Sequence, residues 1–120
     1  MGAVDRIVCT CYTVSVPTSS QIQAFINAVL EALQQNQVEL SRKALDEIEE
    51  MDMPEEDAFA ALEGLNVQDF LHTEPSQREP GVIIWVFCPI VARYGRLWIR
   101  LVRRKTIIFF VISLHPEGMR

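Results

Sequence analysis

The chain has 120 residues, 49% of them hydrophobic, and a formal net charge of −5, which fits a single domain over 1–120 whose core needs no staples. An odd cysteine count (Cys9, Cys11, Cys88) excludes a disulfide framework, the apolar stretches 81–92 and 106–114 fall short of a membrane helix, and no secretory signal is evident, so a cytoplasmic protein is expected. The balance hides a split: residues 81–120 hold seven of eleven Lys/Arg and one of sixteen Asp/Glu, a local +6, against −11 over 1–80.

Residues 1–16 read as an extension in which Cys11-Tyr12-Thr13-Val14-Ser15-Val16 alternates like a short strand. Residues 17–80 read as the helical part. Thr18-Ser19-Ser20 offers a cap behind Pro17. Ile22, Phe25, Ile26, Val29, Leu30 and Leu33 then recur as a helix stripe, up to the polar turn Gln34-Gln35-Asn36-Gln37. A second helix starts near Ser41, with Ala44, Leu45, Ile48 and Met51 inward and Glu47, Glu49 and Glu50 towards water. Asp52 and Pro54 open a third, with Ala58, Phe59 and Leu62 buried and Gly64 as its C-terminal cap. Asn66, with Asp69 three residues later, caps a short fourth helix carrying Phe70, Leu71 and His72.

After the Pro-, Ser- and Glu-rich loop 73–80 the period changes from 3.6 to 2. Residues 82–87 are a nearly continuous apolar run, as in a central strand. A turn over 89–95 leads to a strand over 96–103, and Arg104-Lys105 makes a tight hairpin into 107–114. Helices first and strands last predict an α+β fold, with N-terminal helices packed on one face of a basic C-terminal antiparallel sheet over 81–120.

Along the strand 96–103, Arg96, Trp98, Arg100 and Val102 point one way and Leu97, Ile99, Leu101 and Arg103 the other. The aliphatic three belong against the helices, which leaves Arg96, Trp98 and Arg100 on the open face. Pairing Arg103 with Thr106, or Val102 with Ile107, sets Arg100 opposite Phe109, Trp98 opposite Val111 and Arg96 opposite Ser113. His115 continues that face, and a one-residue slip would turn it over. Guanidinium grips phosphate bidentately, an indole stacks an unpaired base, and imidazole exchanges a proton near neutral pH. Such a set suits single-stranded RNA with its reactive 2′-hydroxyl, with Arg96, Trp98, Ser113 and Arg103 as binding residues. The plainer reading is a solvated strand face on which Trp98 fills space.

Several short stretches also follow one another in a particular order. They are 41–45 leading into a helix, Leu62-Glu63-Gly64-Leu65 before Asp69-Phe70, Trp85-Val86-Phe87 with Pro89, Gly95-Arg96-Leu97-Trp98-Ile99-Arg100, and Ile112-Ser113-Leu114-His115. In that order, from about residue 21 to 115, the chain resembles the MqsR-type mRNA interferase toxins, small endoribonucleases with a RelE-like α+β fold. The resemblance implies activity from a lysine just after Asp-Phe, an aromatic on the strand after the glycine, a lysine near the C-terminus and a glutamine on the first strand. His72, Trp98 and His115 stand at the first three places, and Ile84 or Trp85 in the glutamine region, whose role is lost. Both lysine positions have become the only two histidines of the chain.

The expected chemistry is metal-independent transesterification, with His72 and His115 as base and acid in an order the sequence does not assign. Arg100, with Arg96, stabilises the phosphorane, and Trp98 positions a base. No cofactor is expected; the partners are RNA and a cognate antitoxin, without a membrane. A degenerate relative that binds RNA or protein and cuts nothing is the first rival. A metal site on Cys9-x-Cys11 with a histidine is the second, although that set lacks a recognised zinc spacing. Neither a Gly-rich phosphate loop nor a local Ser-His-Asp signature is present.

Overall fold

The structure, a computed structural model, describes residues 16–104 and 108–117, and of residues 108–110 and 112 the backbone alone. Residues 11–15 of the expected first strand, Cys9 and Cys11 with their expected metal chemistry, and Lys105, Thr106 and Ile107 of the expected hairpin lie outside the described residues.

Thr18 starts helix α1 (Ser19–Gln34) with a reciprocal box. Its hydroxyl accepts from the Gln21 N–H at 3.2 Å, and the Gln21 side chain accepts from the Thr18 N–H at 2.8 Å. Ile22, Phe25, Ile26, Val29 and Ala32 form its buried stripe. Asn36, at φ 58°, turns the chain into strand β1 (Val38–Leu40). Ser41 then caps α2 (Arg42–Glu50), its hydroxyl accepting from the Ala44 N–H at 3.0 Å. Pro54 occupies the cap of α3 (Glu55–Glu63), so Glu55, Glu56 and Asp57 fill the first turn, where the helix dipole favours anions. Gly64 ends α3 at φ −92°, outside the left-handed region. Beside Ala58 and Leu62 the buried side of α3 holds Ala61, and the larger Phe59 is only half-buried.

The fourth helix does not form. Asn66 and Asp69 make their box, but it closes a single 3₁₀ turn (Val67–Asp69), and Phe70, Leu71 and His72 run on as strand β2 (Phe70–Pro75). The few residues before Pro75 cannot offset the cost of a helix nucleus. Pairing with β3 (Ile83–Phe87) satisfies their backbone directly.

Strand β4 (Ile90–Val91) then makes a short hairpin with the start of β5 (Gly95–Arg104), and β6 (Ile108–Pro116) completes the sheet. Arg93 and Gly95 supply the positive φ values, 79° and 77°, at that turn. The order across the sheet is β1-β6-β5-β3-β2, antiparallel except that β1 runs parallel to β6. Among the described residues the fold is α+β with three helices on one face of the sheet, and the stretch read as helical contributes two strands of its own.

Leu97, Ile99 and Leu101 are fully buried against Val29, Ala44 and Leu62 of the three helices, as the alternation of β5 predicts. Phe87, Val111 and Leu114 share this core, and Phe25 stacks on Trp85 with ring centroids 4.1 Å apart. One acidic side chain expected to face water does structural work instead. Glu47 Oε1 accepts from the Leu114 N–H at 2.8 Å, on the part of β6 that β1 no longer reaches. Glu47→Ala is expected to cost about 1–2 kcal/mol in a urea melt, because a partly buried N–H loses a charged acceptor. An unchanged midpoint would mean that water replaces the carboxylate at no cost.

Candidate functional site

Two extra residues, one in each of two strands, decide what stands on the face away from the helices. In β2 the register shifts between Phe70 and His72, so Leu71 is a bulge. Phe70 can then reach the core while His72 and Glu74 share the opposite face with Val86 and Ile84. In β6 the register shifts at Ile112: Val111 pairs with Leu101, but Ser113 pairs with Arg100 and His115 with Trp98. This replaces the expected register. Trp98 lies opposite His115 rather than Val111, Arg100 opposite Ser113 rather than Phe109, and Arg96 is not opposite Ser113. Without the bulge, Ser113 and His115 would turn towards the helices.

The result is a continuous run of side chains from β2, β5 and β6, reaching over β3. His72 Nε2–H donates to Glu74 Oε1 at 3.0 Å, and Arg100 Nε–H donates to Glu74 Oε2 at 3.2 Å. The Arg100 guanidinium carbon lies 5.3 Å from the Trp98 ring centre, a cation–π contact. Trp98 in turn stacks with His115, the centroids 6.4 Å apart and the planes 11° from parallel. His115 Nδ1 lies 3.1 Å from the Pro116 carbonyl. A carbonyl only accepts, so in this contact Nδ1 is the donor. Burial alone would raise the Glu74 pKa, but the hydrogen bonds from His72 and Arg100 outweigh it and hold the carboxyl below its ordinary range. Glu74 is therefore an anion at neutral pH.

Sequence reasoning missed Glu74. The signal was present, since Glu74 follows His72 at the period of a strand, but a helix ending at His72 and a loop over 73–80 hide that relation.

The other expected residues do not join this run. Arg96 donates from Nη1 to the Cys88 carbonyl at 3.4 Å, lies 4.0 Å from Glu117, and lines a separate cleft of about 690 Å³ beside α3 and the β4–β5 turn. In that cleft Tyr94 Oη donates to Asp57 Oδ2 at 2.9 Å; burial first and then this bond push the phenol pKa up. Arg103 is exposed and, by alternation along β5, on the face opposite Trp98. Ser113 is 1% exposed and its hydroxyl has no hydrogen-bond partner among the described residues, so it is not available to RNA as a surface contact. Ser113→Ala is expected to raise stability by about 1 kcal/mol, because an unpaired buried hydroxyl keeps its desolvation penalty. A lowered melting temperature would show instead that the hydroxyl is satisfied. Ile84 is buried and packs with Val86 and Val102 beneath Trp98, while Trp85 lies on the helix side.

The charge split also changes meaning. Arg100 pairs with Glu74, Arg104 with Glu79 and Arg96 with Glu117. Two of these carboxylates come from the acidic part of the chain, so the field over the sheet is weaker than the tally for 81–120 implies. Burial, and then the charge of Glu117, push the Cys88 thiol pKa up, which disfavours the thiolate.

Among the described residues no group of three His, Cys, Asp or Glu is placed to hold a metal ion. Nor is any of their helices long and apolar enough to cross a membrane. Compared with models of protein families and with the curated proteins, the sequence matches none.

Proposed function

We propose that this chain is a metal-independent endoribonuclease that cleaves single-stranded RNA with the ribose 2′-hydroxyl as nucleophile, the activity its resemblance to the MqsR-type toxins implies. One observation carries the reading. Arg100 stands between two sets of proton carriers, Glu74 with His72 on one side and, past Trp98, His115 on the other. Transesterification calls for that order, with a base at the attacking oxygen, an acid at the departing one and a cation over the phosphate.

In this mechanism the base takes the 2′-hydroxyl proton and the oxygen attacks phosphorus. The acid gives a proton to the leaving 5′-oxygen, and a 2′,3′-cyclic phosphate remains. Arg100 balances the charge gained by the phosphorane. Trp98, engaged by Arg100 and His115, orients both. His72 acts together with Glu74, since the two share a hydrogen bond. As a toxin of this kind the chain would act in the cytoplasm and be restrained by a cognate antitoxin.

The test is incubation of the purified full-length protein with a single-stranded RNA in EDTA. Products ending in 2′,3′-cyclic phosphate are expected; RNA left intact would sink the proposal. A second reading has its own support. Three guanidiniums of β5 already hold carboxylates, which suits a module that binds RNA or a protein and does not cut. Salt-dependent RNA binding without cleavage would select it.

A further inference from the structure

Glu74 bridges two cationic or potentially cationic side chains, and this gives it a role that the proposed reaction does not by itself require. Its Oε2 takes the Nε–H of Arg100, on the edge of the guanidinium that pairs bidentately with planar oxyanions. Its Oε1 is held by His72. The Arg100 side chain is 26% exposed and that of Glu74 34%, so a phosphate group can reach the same edge from solvent. The guanidinium is also kept in place from its other side by the Trp98 ring. An anion arriving there finds a positioned guanidinium whose charge is already balanced by one carboxylate.

We propose that Glu74 is a built-in competitor for phosphate on Arg100: an RNA phosphate binds by displacing this carboxylate, which stays paired with His72. The inference rests on the reading of this face as an RNA site and adds a control on it. The Nε edge of Arg100 has two alternative occupants, one internal and one from the substrate. His72 gives the displaced carboxylate a partner, so that it does not remain unpaired beside the incoming phosphate. The device raises the threshold for binding. A weakly held anion does not take the guanidinium, while a polyanion that also has other contacts can.

Two probes separate this inference from the reading it rests on. The first is inorganic sulfate, titrated into the full-length protein while the Arg100 Nε–H resonance is followed, in the parent chain, Glu74→Gln and Glu74→Ala. The second is a single-stranded 2′-O-methyl oligoribonucleotide, which cannot be cleaved. Removing the carboxylate is expected to tighten binding of both probes by about three- to tenfold, in the range of a partly exposed ion pair. It is also expected to steepen the salt dependence of oligonucleotide binding by about one counterion. Glu74→Ala guards against the amide of glutamine bonding Arg100 in its own way. Equal or weaker sulfate binding in both variants would overturn the competitor role, whatever the oligonucleotide does. Tighter sulfate binding with no oligonucleotide binding in any form keeps the competitor role and removes RNA as the ligand.

Discussion

His115→Phe lowers the rate of RNA cleavage by about 10²–10⁴-fold, the usual contribution of a positioned proton carrier, if the proposed mechanism holds. Phenylalanine keeps a flat ring against Trp98, where the imidazole now stacks at 6.4 Å, but carries no proton. The loss should therefore fall on kcat and leave KM near its original value, because the phosphate contact proposed for Arg100 is untouched. His115→Ala removes the proton carrier and the ring together, so its additional loss measures how far His115 steadies the indole. Growth arrest on expression should be relieved by either substitution. Full cleavage activity in the phenylalanine variant would exclude His115 as acid or base, and with it the proposed histidine-pair mechanism.

The largest expected effect on stability lies on the other side of the sheet. Phe87 is fully buried at the C-terminal end of β3, with ring centroids 6.0 Å from Phe25 and 5.6 Å from Phe70. Phe87→Ala is expected to cost about 3–5 kcal/mol, from lost burial plus the cavity left behind. Against a total stability of about 5–15 kcal/mol, that is enough to leave a sizeable unfolded fraction at moderate temperature. The effect also reaches the candidate site. Phe70 holds the bulged end of β2 in the core, and that bulge turns His72 to the opposite face. Phe87→Leu, which keeps most of the volume, should cost less than about 1.5 kcal/mol. A loss below about 1 kcal/mol for the alanine variant would mean that the aromatic cluster closes over the gap.

Much of the helical layer was legible residue by residue. The caps at Thr18 and Ser41 and the stripe from Ile22 to Val29 depend on neighbours within a few positions, so spacing alone reveals them. The same holds for Leu97, Ile99 and Leu101, whose alternation marks the buried side of β5. Local reasoning failed at Phe70, Leu71 and His72. There a capping box read as the start of a helix closes only one 3₁₀ turn, and the partner that makes a strand, β3, arrives after the loop 76–82. The candidate site was half legible. Trp98, Arg100 and His115 do share one face, although the register assigned to them differs from the observed one.

Spacing along the chain was enough for the buried stripes of α1 and β5, the α+β class and a C-terminal part rich in arginine. The charge split turned out to be a property of the linear chain more than of its surface. Glu74 is 26 positions from Arg100, and Glu79 is 25 from Arg104, yet each pair touches. A window along the sequence separates the acids from the bases; the sheet brings them together. Only the tertiary structure decided that Ser113 is buried, that Arg96 turns away, and that both histidines look out from the same face. The physical reason is that strand pairing acts at long range and its side chains alternate, so one bulged residue reverses a whole face.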